Sequence, residues 1–413
     1  MKITFLGVIC LTAFLWGCQS YKGDYLPWRT GSDQEMLPQE HTQAAVLLPL
    51  SGKSASVGEA FQNSAMMALQ ERMESPLELV FYDTKGTPEG TVEAWSRARR
   101  QNPDIIIGPV FAAEVAALKN ESPNIPVISF TTDNTLMGKG IYTLGVLIPN
   151  QMERLVQFMC EAGQKKIAVI GPEDKTGELT MNTLSELVNR CPDMTLHKVS
   201  LYEPNTTNFS PAVLKIVPKP IDPKKKDLTP EEQALLETPI EERIDFDALV
   251  VFEDGVRLQQ VVSLLAYYDV TPKVVPFYGL ANWQSVRDRS LIGGYYAATP
   301  ILKANIFNNR YQSVFGEKPP RIASLAYDAV SLVSSLAERK ILAEESLKQQ
   351  TGFNGVNGRF KLNPDGTNER LLEVFQVGPK LRAESVSGPL SEFPESNTLF
   401  LEKISEEIED WNM

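Results

Sequence analysis

The stretch "VLLPLSGKSASVG", residues 46–58, decides how this chain is read, because Gly52-Lys53-Ser54 is the closing triplet of a phosphate-binding loop. Such a loop needs an earlier glycine, in the pattern G-x-x-x-x-G-K-[ST], so that its backbone amides can wrap a phosphate. The position required is Leu47, inside an apolar run. A phosphate cradle is therefore disfavoured. The segment reads instead as a buried strand, Ala45–Leu50, turning into a helix over Gly58–Glu71. Phe61, Ala65, Ala68 and Leu69 supply the apolar spacing of that helix.

Outward from this point, strands and helices alternate. Leu77–Tyr82, Asp104–Ile107 and Pro126–Phe130 read as further strands, with helices over Pro88–Arg100 and Ala112–Lys119. The pattern restarts with a helix at Gln151–Glu161, a strand at Lys166–Ile170 and a helix at Gly177–Asn189. The strands "TLHKVSLY", "ALVVFE" and "VVPFYG" follow. "GYYAATP" (294–300) crosses over to a helix at Ile322–Glu338, where Leu325, Ala329, Leu332, Val333 and Leu336 share one face. This order predicts an α/β protein of two similar halves, each a doubly wound parallel sheet. Ligands of such sheets sit beyond the carboxyl ends of the strands. Ser51, Asp83, Phe111, Thr131, Asp133 and Asn134 fall there in the first half, and Glu173, Asp254, Tyr278 and Trp283 in the second. Two such edges facing one another make a cleft, and these ten residues are its candidate lining.

Residues 1–17 carry the pattern of an export signal: Lys2, a short apolar stretch, then small Gly17. Leu15-Trp16-Gly17-Cys18 looks like a bacterial lipobox that would make Cys18 the lipidated first residue, anchoring the chain to a membrane. Gln19 rather than Asp favours sorting to an outer membrane facing the periplasm. Residues 18–42 lack periodicity and read as a tether. Of four cysteines, Cys160 and Cys191 remain, and an even pair in an oxidising compartment suggests a disulfide, with two separate buried thiols as the alternative. The formal net charge of −12 disfavours nucleic acid as a partner.

"VLLPLSGKSASVGEAFQNSAMMAL", "IIIGPVFAAEV", "IPVISFTTDN" and "GFNGVNGRFKLNPDG" resemble the type I periplasmic-binding proteins of the leucine-binding class over about residues 44–380. Within that superfamily the lipobox, "SFTTDN", "YGLANW" and the charged insertion before "DALVVFEDG" resemble the penicillin-binding protein activator lipoproteins. The resemblance implies two discontinuous lobes joined by three crossovers: 43–148 with 297–350, and 149–296 with 351–380, leaving 381–413 as an acidic tail. It also implies a penicillin-binding peptidoglycan synthase as partner. Amino-acid-binding relatives clamp their ligand with a serine, a threonine and an acid. Here those positions fall on Ala112 or Ala113, near Asp133, and near Ala281, so the clamp looks absent. A carboxylate beside another carboxylate is repelled, which makes Asp133 adverse to the same ligand.

Catalytic chemistry is poorly supplied. The chain has two histidines, His41 and His197, and neither a G-x-S-x-G elbow nor zinc spacing, so no enzyme, metal or cofactor is expected. Glu173-Asp174 and Glu253-Asp254 are paired carboxylates, read as helix-start residues rather than a glycosidase pair. Residues 211–245 form a charged insertion with a short helix after Thr229-Pro230. Two functions from different classes follow: a membrane-tethered activator of a peptidoglycan synthase, or a lipid-anchored solute receptor of an ABC-type transporter holding an unidentified small ligand in the cleft.

Overall fold

The computed structural model describes residues 41–72, 75–222 and 224–393. The signal, Cys18, most of the tether and the last twenty residues lie outside that range.

The first lobe opens with β1 (Thr42–Leu48), α1 (Ala55–Gln70), β2 (Leu77–Asp83), α2 (Pro88–Ala98), β3 (Ile105–Ile107), α3 (Ala112–Asn120), β4 (Val127–Ser129) and β5 (Ile141–Thr143). These strands form a parallel sheet in the order β2-β1-β3-β4-β5. Strand side chains alternate between faces, and both faces are apolar. Val46, Leu48, Ile105 and Ile107 pack with Phe61 and Ala65 of α1 on one side. Ala45, Leu47 and Ile106 pack with Trp95 and Val115 on the other. A two-sided core of this kind is what turns "AAVLL" into a continuous apolar run.

The second lobe follows with α4 (Ile148–Glu161), β6 (Lys166–Pro172), α5 (Lys175–Val188), β7 (Thr195–Tyr202), α6 (Ser210–Ile216), α7 (Pro230–Glu237), α8 (Ile240–Arg243), β8 (Ala248–Val251), α9 (Gly255–Tyr267), β9 (Phe277–Gly279) and β10 (Tyr295–Ala298). The chain then returns to the first lobe as α10 (Ile301–Phe315), α11 (Ser324–Glu338) and α12 (Glu344–Leu347). A small antiparallel sheet comes next: β11 (Phe353–Gly355), β12 (Gly358–Leu362) and β13 (Asn368–Arg370). Finally β14 (Glu373–Val377) and β15 (Ala383–Ser387) complete a seven-stranded sheet, β15-β14-β10-β9-β8-β6-β7. Cys160 and Cys191 are joined as a disulfide, with Cα atoms 6.1 Å apart, tying the end of α4 to the turn before β7.

Four expectations are corrected. The second sheet is mixed rather than wholly parallel, because β14 pairs antiparallel with both β10 and β15. Residues 351–380 do not all join the second lobe: Phe360 and Leu362 of β12 bury against the first lobe's core. The supposed tail from 381 contains β15, an edge strand of the second sheet. The insertion is shorter than 211–245, since Ala212, Val213, Ile216 and Val217 belong to the second lobe's core. Beyond them α7 begins on the expected Thr229-Pro230, with Thr229 and Glu232 capping each other's backbone.

Three crossovers connect the lobes, after β5, after β10 and after β13. Their polar groups are buried and mostly bonded to one another or to the backbone, although Arg370 Nε has no partner among the described residues. Asn368 donates to the carbonyls of Thr143 (3.0 Å) and Gly145 (2.8 Å), and Asn150 donates back to Asn368 (3.1 Å). Arg370 donates to the carbonyls of Leu144 (3.0 Å) and Asn357 (2.9 Å). Asp328, on α11, accepts from the amides of Val356 (2.6 Å) and Asn357 (3.2 Å) and stands 4.0 Å from Arg370. Burial pushes the Asp328 carboxyl up and Arg370 down to about 10, each opposing the other's shift.

Candidate functional site

The lobes bring the carboxyl ends of their strands together, and several of the polar side chains found there, those of Ser51, Asp83, Asp133, Asp174 and Asp254, already have partners within the chain. Ser51, after β1, donates to Asp83 at the end of β2 through its amide (3.1 Å) and hydroxyl (2.6 Å). The Lys85 amide adds a third bond at 2.8 Å. Partial burial pushes the Asp83 carboxyl up, but these donors outweigh it and hold it below its ordinary value. Phe111 starts α3, its amide bonded to Glu114 (3.0 Å), which is buried and also accepts from Thr84. Burial pushes Glu114 up, partly offset by that hydroxyl. Thr131 is buried, its Oγ1 accepting from the Asp133 amide at 3.1 Å. Asn134 begins a single helical turn beside it.

Asp133 supplies the contact that matters most. Its carboxylate accepts from Thr135 and, at 2.6 Å, from Lys175 at the start of α5 in the other lobe. Partial burial pushes its pKa up, but Lys175 and Thr135 together outweigh that and hold it below the ordinary carboxylate value. The two sheet edges are thus latched by one ion pair, of which the Asp133 side chain is 19% exposed and Lys175 71%. The expectation that Asp133 simply repels a carboxylate is corrected here, because its charge has a partner.

On the second lobe the candidates divide. Glu173 is exposed, and its amide bonds the Tyr202 carbonyl. Asp174 and Asp254 cap α5 and α9, accepting from Gly177 and Gly255, as helix-start residues do. Glu253 is buried and accepts from Tyr202 Oη (2.7 Å) and Arg257 Nε (3.0 Å), which accounts for that paired carboxylate without catalysis. Tyr278 and Trp283 are each 1% exposed and are not cleft residues. Tyr278 stacks on Tyr295, and burial pushes its hydroxyl pKa up. Trp283 folds back into the second lobe's core, where its ring fills the space that a Cβ at Gly279 would need. Ala281, in the same turn, gives its amide to Gln151 (2.8 Å) rather than to the cleft.

Lys175 and Gln151 were not among the sequence candidates. Lys175 could have been noticed as a cation directly after "GPED" at a sheet edge. Gln151 carries no such signal. A cavity of about 500 Å³ also escaped the sequence reading, and it lies on the flank of the first lobe, between α1, α10, α11 and β11.

Two mixed α/β lobes, three crossovers and a cleft between carboxyl edges define a bilobal binding-protein fold. The chain belongs to the periplasmic binding protein family, whose model matches residues 42–382. It is similar in fold to a branched-chain amino acid transporter ligand-binding protein of Burkholderia xenovorans, at 16% identity and TM-score 0.63, covering 84% of this chain and 96% of that one. A leucine-binding protein of Thermotoga maritima aligns at 17% identity and TM-score 0.56, covering 85% and 99%. A solute-binding protein of R. palustris, solved with benzoate, aligns at 15% identity and TM-score 0.54, covering 87% and 99%. Among curated proteins, the uncharacterized protein RP748 of Rickettsia prowazekii (strain Madrid E) is 21% identical over 217 residues, 52% of this chain and 56% of that protein. The chain thus spans about half the length of that relative.

Proposed function

We propose that this chain is a non-enzymatic envelope protein that uses the periplasmic-binding fold as an interaction body, tethered through a lipid on Cys18 to the outer membrane. In this reading its partner is a penicillin-binding peptidoglycan synthase, whose activity it raises. The observation that carries the proposal is the occupation of the cleft's polar groups. Asp133 is spent on Lys175 across the lobes, and the amide of Ala281 is spent on Gln151. Two groups at the positions where relatives would hold a ligand thus have partners from the chain itself, and the outer surface rests on the buried crossovers rather than on a bound ligand.

The second reading is a lipid-anchored solute receptor. The binding roles of the structural neighbours favour it, as does one local fact: Lys175 is exposed enough for a carboxylate ligand to take it from Asp133. One pair of measurements separates the two. With purified synthase and lipid-linked substrate, the chain from residue 19 should raise the rate of polymerisation. Millimolar leucine or benzoate should leave the melting temperature unchanged, whereas a ligand at a hundred times its Kd would add about 2.7 kcal/mol of stability. A ligand-dependent shift without synthase activation would establish the receptor instead.

A further inference from the structure

The first lobe carries an apolar helix face with nothing described against it. In α10, Leu302, Ile306 and Val314 are 74%, 54% and 60% exposed, at steps of four and eight residues along one side. Exposed apolar residues occurring singly need no explanation, but a stripe of them beside a cavity marks a contact surface. Ile306 is both a member of the stripe and part of the cavity wall, together with Met67, Phe307 and Tyr327. Lys303 and Arg310 of α10 line the same cavity together with Glu71, Arg72 and Asp328. Arg310 is ion-paired with Glu71 at 2.6 Å, whereas Lys303 has no ion pair among the described residues, and the helix contains no acidic residue.

The chain itself contains a complementary segment. Phe400, Ile404, Ile408 and Trp411 recur at helical spacing, and the intervening Glu402, Glu406, Glu407, Glu409 and Asp410 outweigh Lys403. Fifteen residues of helix, 397–411, would extend about 22 Å, equal to the fifteen residues of α10. The described chain ends in the right place for it. Phe393 packs where a Cβ at Gly352 would point, with Lys361 Nζ 5.1 Å from its ring. Asn354, two residues beyond Gly352, already lines the cavity, a span of at most about 7 Å.

We propose that residues 397–411 dock as an amphipathic helix along the exposed face of α10 and seat an aromatic side chain in the adjoining cavity. The stripe supplies the apolar contact, Lys303 the charge complement, and three linking residues the reach. Because the segment is covalently attached, a weak contact suffices, at an effective concentration in the millimolar range.

Ile306→Cys, combined in turn with Phe400→Cys, Ile404→Cys or Ile408→Cys in the chain from residue 19, tests this by mild oxidation and peptide mapping. One of the three pairs should link within a single molecule in most of the sample. Ser285→Cys on the second lobe, paired with the same three positions, should not. Links only between molecules would assign the face to a second copy, and equal linking of the control would mean random collision; either overturns the proposal, as does no link at all. Hydrogen exchange on the otherwise native chain gives an independent reading. Amides of 397–411 should be protected, and Ile306→Glu should reduce that protection at least tenfold. Amides that exchange at free-peptide rates in the native chain would also overturn it.

Discussion

The crossovers and the cleft are both polar regions between the same two lobes, yet they are built in opposite ways. At the crossovers, Asp328, Arg370, Asn368 and Asn150 are buried and bonded to one another and to the backbone. At the cleft, closure rests on one ion pair whose cation is mostly in water. Desolvated polar groups must keep their partners, because a buried donor or acceptor left unpaired costs about 1–3 kcal/mol. Solvated pairs carry no such penalty, and an exposed pair is worth about 0–1 kcal/mol. The connection between the lobes is therefore fixed, while the distance across the cleft is cheaply adjusted.

The sharpest way to break this contrast is Asp328→Ala. It strands Arg370 and removes the acceptor of three donors of Val356 and Asn357, so stability should fall by about 3–5 kcal/mol or folding should fail. Urea unfolding measures it, and a loss under 1 kcal/mol would mean the crossovers are as pliable as the cleft. Trp283→Ala should cost about 3–5 kcal/mol by opening a cavity in the second lobe while leaving lobe separation unchanged; small-angle scattering together with a melting curve distinguishes this from a cleft role. Asn368→Ala should cost about 1–3 kcal/mol, again by urea unfolding.

Lys175→Ala should have the smallest effect on stability, at most about 1 kcal/mol, yet the clearest effect on shape, with scattering showing a wider separation of the lobes. The pH dependence follows from Asp133. Its folded pKa is depressed, so the latch contributes fully above the unfolded carboxylate value of about 3.9 and is lost as pH falls through the lower folded value. Acid-induced widening should therefore appear only below that pH in the native chain. In Lys175→Ala the separation should already be wide at neutral pH.

The strands were legible because sheets covered on both faces write themselves as unbroken apolar runs, as "AAVLL" and "ALVV" do. The cleft edge was legible from chain order alone, since a parallel sheet places Ser51, Asp83 and Asp133 at one end. Direction at a strand end was not. Trp283 and Tyr278 follow or end a strand just as cleft aromatics would, and only Gly279, whose missing side chain leaves room for the indole, separates core from surface. The strand "AESVS" was missed because its residues are largely solvated and alternate too weakly for a period of two to register. Asp328 and Arg370 lie on different elements far apart in sequence, and no local spacing announces a contact of that kind.

The position of α11 also sets an order of events during synthesis. The first sheet has all of its strands once Thr143 has been made, but the helix that covers one of its faces starts only at Ser324. At roughly 5–20 residues per second, about 10–40 s pass between the two. Throughout that interval Ile105, Ile107 and Ile128 have α1 beside them and lack Ala326, Ala329 and Val333. The nascent chain thus carries a half-covered sticky surface while most of its second lobe, all but β14 and β15, is being translated.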